Sequence, residues 1–542
     1  MSSISKKVKE NSMLTTGSEI ENFMGGTNYV LSPLMKLKMV AASSIFGEPQ
    51  YYNDGLDKKA IVHEIVYPYF LFPETVGKKS SDIMTEAIDA ALTFDFKGTL
   101  DLAVELRNKY LMRLNPQIIM VRAAIHKNRV KFNQEFPGYF RQCEAEVMSR
   151  CDEPSAQFAY YMYLFKNKKG IPSVLKRAWA DRYEKASRYE LSKYKNAELG
   201  IIDTVRICHA SSDDIDELMS TGTLSVEQEE KTWEQLRCAR NSWKTILLDK
   251  KVYIPHMALL RNLCNIFEEL HESKKTDRDL AEAILKQLLD GVKGGKQFPF
   301  RYYNAYKIVS LTSIPFKEHV IKTLENCLIK ARENMPILKG KTMILTDNSG
   351  SARGAFNFGG RTTIAEINNL SAILTAQQSE DGVIGVFGDK LQCFAVSKEV
   401  SPFVYMEKIN KIARSIGQGT ECGIWLFFKE ALKQKENYDN IFIYSDMQAG
   451  HGGLYVTDNE TNELQKGGYA KNQRYVNVLK LVETYRETVN PKVNLFTVQT
   501  GGYTDNVLPE AAYRTGILTG WTGKEIVYAK TVSDLWDEVE NS

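Results

Sequence analysis

Apolar residues between about Ile61 and Met335 return at helical spacing, as in AIDAALTF, LAVELRNKYLM, PQIIMVRAAI, DLAEAILKQLLDGV and EHVIKTLENCLIKARENM. Short breaks carrying Gly, Pro, Ser or Asp separate them, and long strand-like alternation is missing. So long a run of short helices predicts stacked helix pairs of the HEAT kind, whose period is roughly 40 residues. After Pro336 the pattern changes. KTMILT reads as a strand, TTIAEINNLSAILTAQQ as a helix, GVIGVFGD and LQCFAV as strands, then VYMEKINKIARSI and ECGIWLFFKEALKQ as helices. NIFIYSD and KVNLFTVQT read as further strands, with NQRYVNVLKLVETYRETV between them as a helix. Such alternation predicts a doubly wound α/β domain with a mostly parallel sheet, whose ligand site lies at the carboxyl ends of the strands. The expected division is a flexible N-terminus at 1–20, a helical-repeat domain at 21–336 and an α/β domain at 337–542.

Length agrees with more than one domain: 542 residues exceed what a single core fills, which stops growing at about 250–300. The 43% hydrophobic and 25% charged composition is that of a folded protein and excludes extended disorder. Met1 to Gly17 is polar and lacks the apolar segment of a secretory signal, and no apolar run reaches a membrane-spanning length. Eight cysteines are scattered singly from Cys143 to Cys422, none in a C-x-x-C pair, which predicts reduced thiols and a cytoplasmic protein without membrane contact. A net charge of +3 carries no argument for nucleic acid, but residues 160–209 hold eleven Lys/Arg against five Asp/Glu. One basic band on a near-neutral chain is a footprint for a polyanion or else a solvated helical face.

The predicted strand ends hold the unusual chemistry. ILTDNSGSARG places Asp347, Ser349 and Ser351 on one loop, with Gly350 expected to let it turn. GQGTE offers Thr420 before a helix, and IYSDMQ offers Asp446 directly after a strand. Five oxygen donors with two carboxylates suit a hard divalent cation, Mg²⁺ first and Ca²⁺ or Mn²⁺ as alternatives. An acidic group from a partner could fill the remaining position. A Ser/Asp-rich turn capping a helix is the plainer reading. The triplet Gly340–Thr342 imitates the tail of a phosphate-binding loop, but Met335 stands where the first glycine belongs and the triplet precedes its strand. No nucleotide site is expected.

The D-x-S-x-S loop with Thr420 and Asp446 in order resembles the metal-ion-dependent adhesion site of von Willebrand factor A domains. A second resemblance runs through the helical part. GGTNYVLSPLMKLKMVAASSIFGEPQYY (Gly25–Tyr52), LKRAWADRYEKASRYELSKYKN (Leu175–Asn196), VRICHAS (Val205–Ser211), PHMALLRNLCNI (Pro255–Ile266) and QFPFRYYNAYKI (Gln297–Ile308) resemble, in order, segments of the Ro (TROVE-domain) RNA-binding family, in bacterial or phage form. The resemblance implies a monomeric ring of HEAT-like repeats (TROVE) plus a von Willebrand A-like domain. It implies binding of Y-type RNA on a basic outer face and of single-stranded 3′ ends of misfolded RNA in a central hole. Lys193, Lys195, Arg206 and His209 match the family's outer RNA segment, Lys176 and Arg177 belong to the same band, and Arg261 and Asn262 match its inner rim. For His209 the alternative is a histidine bonded between helices, and for Arg261–Asn262 a network joining helices. The chain departs from the family pattern at Asn196-Ala197-Glu198, where another basic residue is usual, and over residues 53–80.

The function so implied is that of a noncoding-RNA scaffold in RNA quality control, with an RNA-processing protein as a further partner. The alternative is a metal-dependent assembly module or a structural component of a ribonucleoprotein or virion. No nucleophile–His–acid set is present and the seven histidines lack zinc spacing, so an enzyme is not expected.

Overall fold

The computed structural model of the chain describes residues 18–21, 26–42, 80–110, 112–165, 170–194, 200–224, 232–249, 252–295, 299–333, 335–354, 362–417, 423–448, 470–472, 475–501, 505–510, 512–519 and 525–541. They fall into two compact units, one of 32–42 and 46–231, the other of 1–31, 43–45 and 232–542.

The first unit is helical. Its helices include Pro33–Ala42, Ser80–Phe94, Phe96–Asn108, Asn115–Ile125, Tyr139–Val147, Glu153–Phe165, Ser173–Glu184, Arg188–Tyr194, Ile201–Cys208 and Asp213–Thr221. Local chemistry sets several ends. Asp95 caps Phe96–Asn108 by accepting from the Gly98 amide at 2.9 Å, and a side chain at Gly98 would collide with that carboxylate. Ser212 caps Asp213–Thr221, whose first turn carries three aspartates, and Gly222 closes it in the left-handed conformation. Leu100, Ile118, Phe140, Trp179 and Tyr183 lie in the interior. Beside them sits a buried polar group: Gln157 donates to Gln117 and to Glu144, and Trp179 donates to Gln157.

The second unit begins with β1 (Glu19–Glu21) and β2 (Thr27–Val30), an antiparallel pair. Helices follow from Trp233 to Arg332, and then β3 (Leu338–Asp347), β4 (Ser379–Phe387), β5 (Leu391–Val396), β6 (Asn440–Ser445), β7 (Ala470–Asn472), β8 (Tyr475–Val476), β9 (Asn494–Gln499), β10 (Asp505–Asn506) and β11 (Thr515–Thr519). The main sheet has the order β11-β9-β6-β3-β4-β5, parallel except for the edge strand β5. Strict alternation along the strands feeds two cores. Met343, Leu345, Ile441, Ile443 and Leu495 pack under helices Gly423–Gln434 and Val478–Thr488. Ile344, Phe442, Tyr444, Phe496 and Val498 face helices Ile364–Gln377, Pro402–Ala413 and Glu525–Asn541.

The expected change of pattern near residue 337 is where the sheet starts, but the packing boundary falls at 231/232. The core that covers one face of the sheet continues through Trp243, Leu259, Leu263, Ile284, Leu324 and Leu328. Helices His256–Phe267, Lys275–Asp290 and Lys317–Arg332 therefore share an interior with the α/β part. A second difference lies at the N-terminus, where Glu19 and Ile20 are in β1 and β2 pairs with β10. A third concerns NQRYVNVLK: Tyr475–Val476 is strand, and the helix starts only after Asn477, whose side chain caps the Lys480 amide at 3.0 Å. Strand β11 and helix Glu525–Asn541 have no counterpart in the pattern read from sequence. Gly340–Thr342 lies inside β3 at a register shift; Gly340 has φ +77°, and the Lys341 amide donates to Asp439 at 2.8 Å. Among the described residues no helix is long and apolar enough to cross a membrane, and seven of the cysteines are free thiols.

Candidate metal centre and basic helical surface

Strand order reverses beside β3: the chain runs to β4 and β5 on one side and then to β6, β9 and β11 on the other. The carboxyl ends of β3 and β6 thus flank the crevice where α/β sheets bind ligands. Asp347 is the last residue of β3 and Asp446 the first after β6, and both are buried.

The turn after Asp347 is locked by an amide pair. Asn348 and Asn369 exchange side-chain hydrogen bonds of 2.8 and 2.9 Å, and the Asn348 amide donates to the Phe387 carbonyl at 2.8 Å. Gly350 then opens the short helix Gly350–Gly354 and is not among the glycines with positive φ, so the turn does not draw on its freedom. The left-handed residue of this crevice is instead Met447, at φ 65°.

Four of the five expected donors are described, and they converge. Asp347 Oδ1 accepts from the Ser349 amide at 2.8 Å. Ser349 Oγ lies 3.0 Å from Ser351 Oγ, and Ser351 Oγ donates to Asp446 Oδ2 at 2.8 Å. Ser445, which the sequence pattern did not single out although it precedes Asp446, donates to Asp347 Oδ2 at 2.6 Å. Asp446 is held from behind: Gln448 N donates to Oδ1 at 3.2 Å, and Gln499 Nε2 donates to its carbonyl at 3.0 Å. Burial, and after it the charge of Asp347, push the Asp446 carboxyl well above the usual aspartate range. Thr420 lies outside the described residues. The described elements on either side of it are both helices, Pro402–Ala413 and Gly423–Gln434, where a strand end had been expected. A second missed residue ties that connection to the first loop: Arg353 donates to the carbonyls of Ala413 and Gly417 at 2.8 and 2.6 Å.

The donor set fits a hard cation. Two buried carboxylates face each other with three hydroxyls between and beside them, all oxygen. Among the described residues no group of three or more His, Cys, Asp or Glu could hold a metal, so serine hydroxyls and water would complete the coordination. Asp347, Ser349, Ser351 and Asp446 are the described residues that could hold such an ion.

In the helical unit, part of the basic band is consumed internally. Arg182 pairs with Glu190 at 2.6 Å, and Arg188 pairs with Asp214 and Glu217. The remaining cations lie on helices Ser173–Glu184, Arg188–Tyr194 and Ile201–Cys208 or directly after them. Arg177, Lys185, Lys193, Arg206 and His209 are exposed and Lys176 is half-buried. Helices Ser173–Glu184 and Ile201–Cys208 pack together, and the Lys176 charge reaches the Cys208 thiol. Lys193 sits over the rings of Tyr189 and Tyr194. His209 ends its helix in the left-handed conformation with its side chain in solvent, and is therefore not a histidine bonded between helices. Lys195 lies outside the described residues.

In the other unit Arg261 is exposed, whereas Asn262 donates to the Ala258 carbonyl of its own helix at 2.8 Å. Arg261 lies near Arg301, and both are exposed. The helices carrying this pair are joined by His256, bonded to Tyr302 at 2.8 Å. The network between helices is real, but His256 and Tyr302 make it and Arg261 does not.

A model of the TROVE domain family matches residues 219–346. The matched segment crosses from the helices into β3 and stops one residue before Asp347. No curated protein matches the chain. Among solved structures, the crystal structure of the Deinococcus radiodurans Ro (RSR) protein is similar, with 14% sequence identity and a TM-score of 0.56 over 92% of this chain and 100% of that chain. At that identity the likeness is one of fold.

Proposed function

We infer that this chain, with the fold of a bacterial Ro protein and a TROVE segment, is an RNA-binding protein. The observation that carries the reading is the basic surface of the helical unit. Among the described residues Lys176, Arg177, Lys185 and Arg206 form no ion pair, so their charge is available to phosphate. Such side chains neutralise a backbone without reading bases, and exposed Tyr189 beside Lys193 offers a face on which an unpaired base could stack. The finer reading is a noncoding-RNA scaffold in quality control that accepts single-stranded 3′ ends and Y-type RNA, with an RNA-processing protein as partner. The short segment at Asn196-Ala197-Glu198 makes general 3′-end binding the broader of these activities.

A second reading concerns the α/β part and rests on the convergent carboxylates. There a divalent cation, Mg²⁺ in the first place, is held by Asp347, Ser349, Ser351 and Asp446, with Thr420 expected to join them, and offers an open position to an acidic group of a partner. When bound, the ion supplies positive charge for ligation; the serines orient the carboxylates, and Gln448 and Gln499 fix the Asp446 loop.

RNA with an unpaired 3′ tail should bind better than a blunt duplex of the same stem, and Lys193→Ala with Lys195→Ala should weaken binding. Equal, weak binding of both RNAs at low salt would overturn the RNA reading. A Mg²⁺-dependent pulldown lost in Asp347→Ala while RNA binding persists would establish the second activity separately.

A further inference from the structure

The chain's N-terminal strand reaches the back of the candidate metal centre. β2 pairs with β10, Asp505 opposite Val30 and Asn506 opposite Tyr29. Asn28, next to Tyr29 on β2, is fully buried. The two N–H groups of its side-chain amide have different targets: one donates to the Met447 carbonyl at 2.9 Å, the other to Asp505 Oδ2 at 2.7 Å. Asp505 Oδ1 in turn accepts from Gln448 Nε2 at 3.1 Å, and the Gln448 amide donates to Asp446 Oδ1. Asn28 therefore holds both residues that follow Asp446, one directly and one through Asp505. Met447 is the residue with positive φ, a conformation a methionine keeps only when its surroundings impose it. Gly501 also approaches so closely that a Cβ there would lie 2.6 Å from the Asp446 Cβ. The Asp446 loop is thus contacted both by the residues that follow β9 and by a strand from 419 residues earlier in the chain. Tyr29, the neighbour of Asn28, is buried, and its strand is paired on both edges, with β1 and with β10, which fixes the strand's own position.

We propose that β2 is a clamp on the metal centre: Asn28 is a positioning residue for Asp446, and docking of the N-terminal strand and occupancy by a divalent cation strengthen each other. This rests on the metal reading given above. The coupling is reciprocal by necessity, because whatever tightens the site by ordering the strand must order the strand when the site fills. A partner that peels β2 away would then lower affinity for the cation.

The test uses the full chain and Mn²⁺ as a paramagnetic probe, with affinity read by spin-resonance titration and confirmed with Mg²⁺ as competitor. Asn28→Ala should weaken Mn²⁺ by about tenfold, the loss expected when two hydrogen bonds, one to a carboxylate, are removed from the support of a ligand. In the unaltered protein, hydrogen exchange of the Thr27–Val30 amides should slow when Mg²⁺ is added, a measurement that needs no variant to fold. If the unaltered protein binds Mn²⁺, but Asn28→Ala binds it equally well and exchange in β2 is indifferent to Mg²⁺, the clamp is overturned and the metal centre stands. If the unaltered protein binds no Mn²⁺, the metal reading fails and the clamp with it.

Discussion

Each unit of this protein buries a carboxyl group whose proton is held too tightly, and the two groups mean different things. In the helical unit Glu144 is fully buried, burial pushes it up to about 8, and the amide of Gln157 eases this only in part. Its second oxygen has no partner among the described residues. In the α/β part Asp446 is raised by burial and by Asp347, and hydroxyls of Ser351 and Ser445 point at the pair. A lone buried acid beside neutral amides is satisfied by a proton. Two acids that share hydroxyls can share a proton or take a cation, and the metal reading proposed above is the second of these. The direction of a pKa shift does not separate the two places, whereas cation binding does.

The sharpest way to break the comparison is to remove one carboxyl from each place. Asp347→Ala should weaken Mn²⁺ binding by more than about 100-fold, since even supporting residues of metal sites are worth about 10–100-fold. Glu144→Gln should leave that titration unchanged. If both variants retain binding, the acidic pair is a structural feature and the distinction collapses.

The second test turns on pH. For Glu144 the folded state keeps a proton that the unfolded chain has released, from an ordinary value of 4.5 up to about 8. Stability contributed by this proton is complete below pH 4.5, falls as pH rises through that window, and is lost above about 8. Glu144→Gln keeps the acceptor for Gln157 and abolishes the titration. It should raise stability by roughly 2–4 kcal/mol at pH 8.5 and change little near pH 4. Urea unfolding at the two pH values measures this; an equal effect at both would mean that packing and not protonation carries the cost.

How far the two places are legible in sequence follows from their geometry. Asp347, Ser349, Ser351 and Asp446 stand beside short apolar strands, so their alignment at strand ends can be read from local pattern. Ser445 carries the same signal, as the last residue of its strand, and is the donor that pattern alone leaves unmarked. Asn28 has none, because its partners are 419 and 477 residues away and β10 is two residues long. The helices resist for another reason. Amphipathic spacing says that Leu259 and Leu263 are buried, but not that they share a core with Ile344 and Phe442 of the sheet. Nor does composition show which cations of the basic band are spent on Asp214, Glu217 and Glu190.

That last point gives a smaller test, on the surface of the helical unit. Lys176→Ala with Arg206→Ala should reduce the dependence of log affinity on log salt by about one unit for each phosphate that is no longer neutralised, and weaken RNA of any sequence alike. Arg188→Ala, at an arginine already engaged by two carboxylates, should change RNA binding far less. A loss confined to particular RNA sequences would show that these residues read bases.

The smallest expected effect sharpens the contrast by making one change in both units. Gly501→Ala and Gly138→Ala each add one methyl group. Gly138 has φ +83° and open space around its would-be Cβ, so alanine there suffers only backbone strain, on the order of 1 kcal/mol. Gly501 is not in the left-handed region, but its added carbon meets Asp446 Cβ at 2.6 Å and its Cα at 3.2 Å. That methyl group must displace the carboxylate loop, whose carbonyls Gln499 and Asn28 hold. Gly501→Ala should therefore lower Mn²⁺ affinity by a few fold, roughly 1 kcal/mol in binding, with little change in unfolding midpoint when the cation is absent. Gly138→Ala should do the reverse, lowering the midpoint slightly and leaving Mn²⁺ affinity alone. Should Gly501→Ala bind the cation normally, Asp446 has room to move, and neither the close approach of the glycine nor the strand behind it sets the geometry of the site.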